Sequence, residues 1–247
     1  MSSELSRSDH AGARHGDPPE TVDGLSMTRR TQTVAAASAI SGAVLFLLAV
    51  IVHPERDGVH IAEVGPLYGL THGVEAIGLI LQIIGLAGLF FPNVSQFRRR
   101  DLINLYCALL GTIWYFGLIV VDGTRNPVTA RYAPSLVHTA ADLDTGTAII
   151  VLPALVLFPL GYVLLGVMQA HYGARWIGIL IGVGAAVYTT GGLAIFGLGP
   201  ASPVIEILEI VGAVPYALGI ILMARFWTRR SSSHPTSSRE LLTGEHS

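Results

Sequence analysis

Six nearly unbroken apolar stretches, each about twenty residues long, follow one another between two polar ends. They cover residues 34–52, 67–91, 102–121, 148–168, 176–198 and 204–223. About twenty helical residues cross a hydrocarbon core of roughly 30 Å. In lipid, such a run satisfies its backbone hydrogen bonds internally only as a helix. The pattern predicts an all-α, polytopic membrane protein, a six-transmembrane-helix bundle over residues 31–228. Pro153, Pro159 and Pro215 fall inside the fourth and sixth runs and are expected to kink those helices rather than end them. Residues 1–30 and 229–247 are polar and aperiodic, and they read as disordered tails. The first run is too long, and lies too far along the chain, to be the core of a cleavable signal peptide.

Composition sharpens this picture. Apolar residues make up 51% of the chain and charged residues only 13%, against roughly 25% charged in a soluble domain. Most of the surface must therefore face a lipid bilayer. A net charge of −2 gives no basis for a nucleic-acid partner. The single cysteine, Cys107, sits inside the third run, so it has no disulfide partner in the chain and reads as a packing residue. All fifteen basic residues are arginine. Arg29, Arg30, Arg98, Arg99, Arg100, Arg175, Arg225, Arg229 and Arg230 fall on one side of a six-span topology, and only Arg56, Arg125 and Arg131 on the other. The asymmetry predicts a multi-pass protein of the plasma membrane with both termini cytoplasmic. Gly69-x-x-x-Gly73 and Gly178-x-x-x-Gly182 are spaced for close helix packing, within the chain or across a homo-oligomer seam.

Against that apolar background the ionisable residues stand out. At about 1.5 Å per residue, His72 and Glu75 lie roughly 8 and 12 Å below the outer end of the second run. Three residues apart, they share a helix face and are expected to satisfy each other. Glu206 and Glu209 share a face in the same way near the outer start of the sixth run. His53 closes the first run and Asp122 the third, both on the outer side, where headgroups could wet them. Asp142 and Asp144 precede the fourth run as helix-capping charges, and Glu206 follows Ser202 and Pro203 as dipole compensation. His60 and His138 read as solvated loop residues. Tyr68, Trp114, Tyr115 and Tyr188 could line a pocket beside these groups.

Several segments together resemble a group of small multi-span membrane proteins common in actinobacteria and haloarchaea, for which no activity is assigned. The matching positions are His53-Pro54 after the first helix, His72 early in the second, and Arg175-Trp176 before the fifth. The resemblance implies a fold and a membrane location, and no reaction.

Two functions fit the sequence. One is a membrane protein whose outer cluster of histidine and acidic residues senses, binds a ligand or is structural. The other is a membrane-embedded enzyme acting on a lipophilic small molecule by protonation, as a terpenoid cyclase does, with Glu75, Glu209 and His72 as candidate catalytic groups. His53, His72 and His138 are weak candidates for a metal or haem site, since no His-x-x-His or Cys-x-x-Cys spacing supports one. No cofactor is expected. The two halves of the chain show no internal similarity of the kind a transporter would carry.

Overall fold

The computed structural model describes residues 23–139 and 145–232. Six helices account for nearly all of them: α1 (Asp23–Ile51), α2 (Gly58–Phe90), α3 (Arg99–Tyr132), α4 (Thr145–His171), α5 (Arg175–Leu198) and α6 (Pro203–Ser232). Every one of the six contains a segment long and apolar enough to cross a membrane. Helix α1 reaches back to Asp23 and α6 runs on to Ser232, so residues 23–30 and 229–232 of the expected tails are helical. The rest of both tails, with Asp142 and Asp144, lies outside the described residues.

Each helix packs against the next in sequence, and α6 returns to α1, closing a ring of six. With six alternating directions, the start of α1 and the end of α6 share one end of the bundle, here the termini end. The opposite end is the distal end. Large aliphatic side chains such as Ile77, Ile113, Val183 and Val211 point outward and are about half exposed. An apolar exterior of this kind suits a helix bundle solvated by lipid.

The ring is filled by aromatic groups drawn from most of its helices. Phe46 of α1 meets Tyr188 of α5 and Tyr216 of α6 edge-on, with centroids 5.0 and 5.3 Å apart. Tyr162 of α4 stands 4.9 Å from Tyr216, and Phe158 of α4 lies 4.5 Å from Tyr115 of α3. The buried hydroxyls are paired: Tyr162 with Thr112 at 2.8 Å, and Tyr216 donating to Gln82.

Close approach of the helices depends on glycine. A Cβ on Gly212 of α6 would lie 2.1 Å from the Tyr188 nitrogen of α5, and one on Gly178 would lie 2.2 Å from the Gly166 carbonyl of α4. Gly178-x-x-x-Gly182 thus packs α5 on α4 within the chain. The other spaced pair behaves differently: Gly69 approaches the Gly123 carbonyl, whereas Gly73 has nothing within 4 Å.

Two helices are longer than their apolar runs. Helix α2 starts at Gly58, with the Asp57 carboxylate accepting from the Val59 and His60 amides at 3.0 Å each. His60 is therefore helical and not a loop residue. Val64 leaves helical geometry (φ −107°, ψ 17°) two positions before Pro66, and this kink separates the polar first turns from the apolar body. Helix α3 continues eleven residues beyond position 121, so Asp122 lies within a helix instead of closing one. In α3 the added turns carry polar side chains that face inward, Asp122 and Asn126; in α2 they bury Gly58, Ile61 and Gly65 and leave Glu63 exposed. The helices continue through Pro153, Pro159 and Pro215 as expected.

Candidate functional site

The short link from α1 to α2, residues 52–57, lies across the distal mouth of the ring. It is too short to leave the mouth, so His53 and Arg56 are carried to the inner ends of α2, α3 and α6. Arg56 forms a charge-assisted hydrogen bond to Glu209, and the pair is largely buried (side chains 13% and 8% exposed). Burial opposes the guanidinium charge, but Glu209, then Tyr68 and Asp122, outweigh it and hold Arg56 well above its ordinary range.

Asp122 is the centre of a second group. Its Oδ2 lies 3.1 Å from His72 Nε2, and its Oδ1 lies 3.1 Å from His138 Nε2 and 2.9 Å from the Tyr68 hydroxyl, which donates to it. The Asn126 amide nitrogen donates to Asp122 and lies 2.8 Å from His138 Nε2. Three imidazoles are oriented in the same way, each with Nδ1 against a backbone carbonyl. His53 faces Pro54 O at 2.6 Å, His72 faces Tyr68 O at 2.9 Å, and His138 faces Arg56 O at 2.9 Å. A carbonyl only accepts, so each Nδ1 carries the proton and each Nε2 points into the cluster. His138 holds this position at φ 55°, a left-handed conformation costing a non-glycine residue on the order of 1 kcal/mol.

Glu75, 2% exposed, sits deeper. Its Oε1 accepts from the Tyr188 hydroxyl at 2.8 Å, which in turn accepts from Tyr115 at 2.8 Å. Among the described residues Glu75 forms no ion pair, unlike Asp122 and Glu209.

These groups line a cavity of about 90 Å³ at the distal end. Its ionisable lining comes from Arg56, His72, Glu75, Asp122, Arg125, His138 and Glu209, with Arg125 donating to Thr147 of α4 at 2.8 Å. Its apolar lining comes from Leu118 and Ile119 of α3, Val151 and Leu155 of α4, and Ile195 and Phe196 of α5. A volume of that order holds several waters or a compact polar headgroup.

The site departs from the sequence reading in several places. His72 and Glu75 do not satisfy each other. Gly123 brings α3 so near that its added Cβ would lie 2.4 Å from His72 Cβ, and the imidazole turns to Asp122. Glu206 is exposed while Glu209 is buried, so the two do not act on one face. Gly191 of α5 presses on Glu209, where an added Cβ would lie 2.6 Å from its Cγ. His138 and Asp122 are cluster members and not solvated or headgroup-wetted positions. Tyr68, Tyr115 and Tyr188 do converge here, whereas the Trp114 indole donates to Ile149 O at 3.2 Å, on the outer side of α4. Arg56, a loop charge by sequence, is the cation of the site. The signal in the sequence is its place in a six-residue link between long helices, which keeps it near the bundle mouth.

The three histidines meet, but among the described residues no three His, Cys, Asp or Glu side chains are disposed to hold a metal ion. Arg56 Nη1 lies 3.2 Å from His53 Nε2, so an added cation there would face a guanidinium. Burial, followed by the charges of Arg56 and His72, keeps His53 well below its ordinary 6.5 despite the Pro54 carbonyl and Asp122. The folded protein holds this imidazole neutral, while the unfolded chain gains a proton near its ordinary value. His53 thus contributes fully above pH 6.5, and that contribution is lost as the pH falls below it. Melting curves from about pH 7.5 to 5 should show stability dropping over this window, with a shallower drop in His53→Gln.

Fold and cavity together define a multi-pass α-helical membrane protein with a polar chamber at one end of a six-helix ring. No known family, curated protein or solved structure matches the chain.

Proposed function

We propose that the chamber binds a small amphiphilic molecule, with its polar part against Arg56, His72, Glu75 and Asp122 and its apolar part along α4 and α5. The observation that carries this reading is the mixed lining: ionisable groups and aliphatic side chains converge around one cavity. The chamber faces the outside of a plasma membrane, with both termini cytoplasmic. Nine arginines at the termini end support that orientation. Two of the three that count against it, Arg56 and Arg125, line the chamber and are not loop charges. His53 and His72, which carry the resemblance to the actinobacterial and haloarchaeal membrane proteins, both belong to the cluster.

The test is a cavity-filling variant. Gly192 lines the chamber, and its nearest obstacle to a Cβ is the Leu155 side chain at 3.4 Å. Wild-type protein purified in mild detergent is expected to carry an amphiphile detectable by mass spectrometry, and Gly192→Leu to lose it while remaining folded. Equal retention by both would place the ligand elsewhere.

One observation favours a second reading, protonation chemistry on the bound molecule. Glu75 is a buried carboxyl facing the cavity without an ion-pair partner, backed by the Tyr188–Tyr115 relay. Under that reading Glu75→Gln retains the ligand but stops its conversion. Under simple binding no conversion is seen in wild type.

A further inference from the structure

The hydrogen bonds of the distal cluster require one proton more than neutral imidazoles and ionised carboxylates supply. His53 Nε2 accepts from Arg56 Nη1 at 3.2 Å. The Asn126 amide has two hydrogens, one for Asp122 and one for His138 Nε2 at 2.8 Å, and so bridges two acceptors that lie 3.1 Å apart. Those two imidazoles are complete with a single proton each, on Nδ1. His72 is not. Its Nδ1 hydrogen is used on Tyr68 O at 2.9 Å, while its Nε2 faces Asp122 Oδ2 at 3.1 Å and His53 Nε2 at 3.5 Å, both acceptors. Two lone pairs at 3.1 Å repel each other, so a proton lies between His72 and Asp122. Whichever of the two holds it, the pair as a unit is neutral.

Charge in the chamber then balances. Among the described residues that line it, the carboxylates Glu75, Asp122 and Glu209 stand against Arg56, Arg125 and this proton.

Hydrogen-bonding capacity does not balance. Asp122 accepts on both oxygens. Glu75 accepts from Tyr188 on Oε1 alone, and Glu209 accepts from Arg56 on Oε2 alone. Glu75 Oε2 and Glu209 Oε1 receive no hydrogen from any described residue, although the two residues are only 2% and 6% exposed. Neither oxygen is sealed in the interior, where the unpaired side-chain atoms are Gln82 Nε2, Asp101 Oδ1 and Gln169 Nε2. Both therefore open on the chamber that their side chains line. Donors around them are committed elsewhere: the Tyr115 hydroxyl to Tyr188, Thr139 to Leu136 O, and Arg125 to Thr147.

Resting on the reading that the chamber holds an amphiphile, we propose that the polar end of that molecule is an uncharged 1,2-diol, as at the end of a monoacylglycerol. One hydroxyl donates to Glu75 Oε2 and its neighbour to Glu209 Oε1, with the chain along Val151 and Leu155. An ammonium group would add a charge that nothing in the balanced lining offsets. A carboxylate or phosphate would bring lone pairs against two oxygens that already lack donors. Hydroxyls add no charge, and they still serve a protonated Glu75, because a hydroxyl accepts as well as donates.

The experiment is a calorimetric titration of the full-length protein in mild detergent. The probes share one chain length: octane-1,2-diol, octan-1-ol, octylammonium and octanoate. Wild type is expected to bind the diol about tenfold more tightly than the alcohol, the worth of one added hydrogen bond to a carboxylate. Both charged probes are expected to bind more weakly than the alcohol. Glu75→Met, which removes one acceptor and leaves Arg56 with Glu209, is expected to bind the diol about as weakly as wild type binds the alcohol. Equal binding of diol and alcohol by wild type overturns the assignment, as does a preference for either charged probe. Neither comparison depends on a variant that folds. Full retention of the diol preference by Glu75→Met overturns it too. A different result marks failure of the underlying reading: wild type binding none of the probes, or Gly192→Leu binding them all as wild type does, removes the chamber amphiphile and the diol with it.

Discussion

Replacing Arg56 with methionine is expected to destabilise the fold by about 3–5 kcal/mol. The cost arises because Glu209 is left buried without its cation, packed closely against Gly191 of α5. His53 Nε2 loses its donor in the same step. Removing both charges with Arg56→Met/Glu209→Met should recover most of the loss, because a buried pair adds little net stability over an apolar pair of similar size. The check is a double-mutant cycle on unfolding midpoints in mixed micelles, where the coupling between the two positions should approach the single-variant penalty. If the double variant is as unstable as the sum of the singles, the pair is not a unit.

The second large effect concerns a residue with no side chain. Gly212→Ala puts a methyl group 2.1 Å from the Tyr188 nitrogen and 2.6 Å from its Cα, both backbone atoms that cannot swing aside. Helices α5 and α6 must separate, at about 1–3 kcal/mol. The separation moves Tyr188 off Glu75, so the chamber's deepest hydrogen bond is lost with it. Gly73→Ala is the control. With nothing within 4 Å, the new methyl is expected to stabilise helix α2 by about 0.5–1 kcal/mol. Melting curves and ligand retention for the two variants should diverge in sign, although both replace a glycine in a spanning helix.

The glycine comparison also shows how far the sequence could be read. Gly69 and Gly73 have the same spacing as Gly178 and Gly182, yet only the second pair meets a neighbouring backbone at both positions. Spacing identifies a face of one helix, and what that face meets depends on the rotation of another. The six spans themselves were legible because burial in lipid is decided residue by residue, by composition. The added turns were not: at 122–132 polarity marks a filled interior and not a helix end, and at 58–66 a short polar and glycine-rich stretch precedes the kink at Val64.

The site follows the same division. His72, Glu75 and Glu209 were visible because a charge at their depth is costly wherever its partner lies. Their partners were hidden. The pairing of His72 with Asp122 and of Glu209 with Arg56 depends on two glycines, Gly123 and Gly191, that let neighbouring helices close in on them. Tyr115 and Tyr188 were legible as aromatics beside polar groups, but not their order in a relay.

The aromatic plug has a consequence for traffic through the molecule. Phe46, Tyr115, Phe158, Tyr162, Tyr188 and Tyr216 fill the centre of the ring just below the chamber. The packed rings close the axis of the bundle below the chamber, so the ligand proposed above would meet a floor of aromatic side chains and not a path to the termini end.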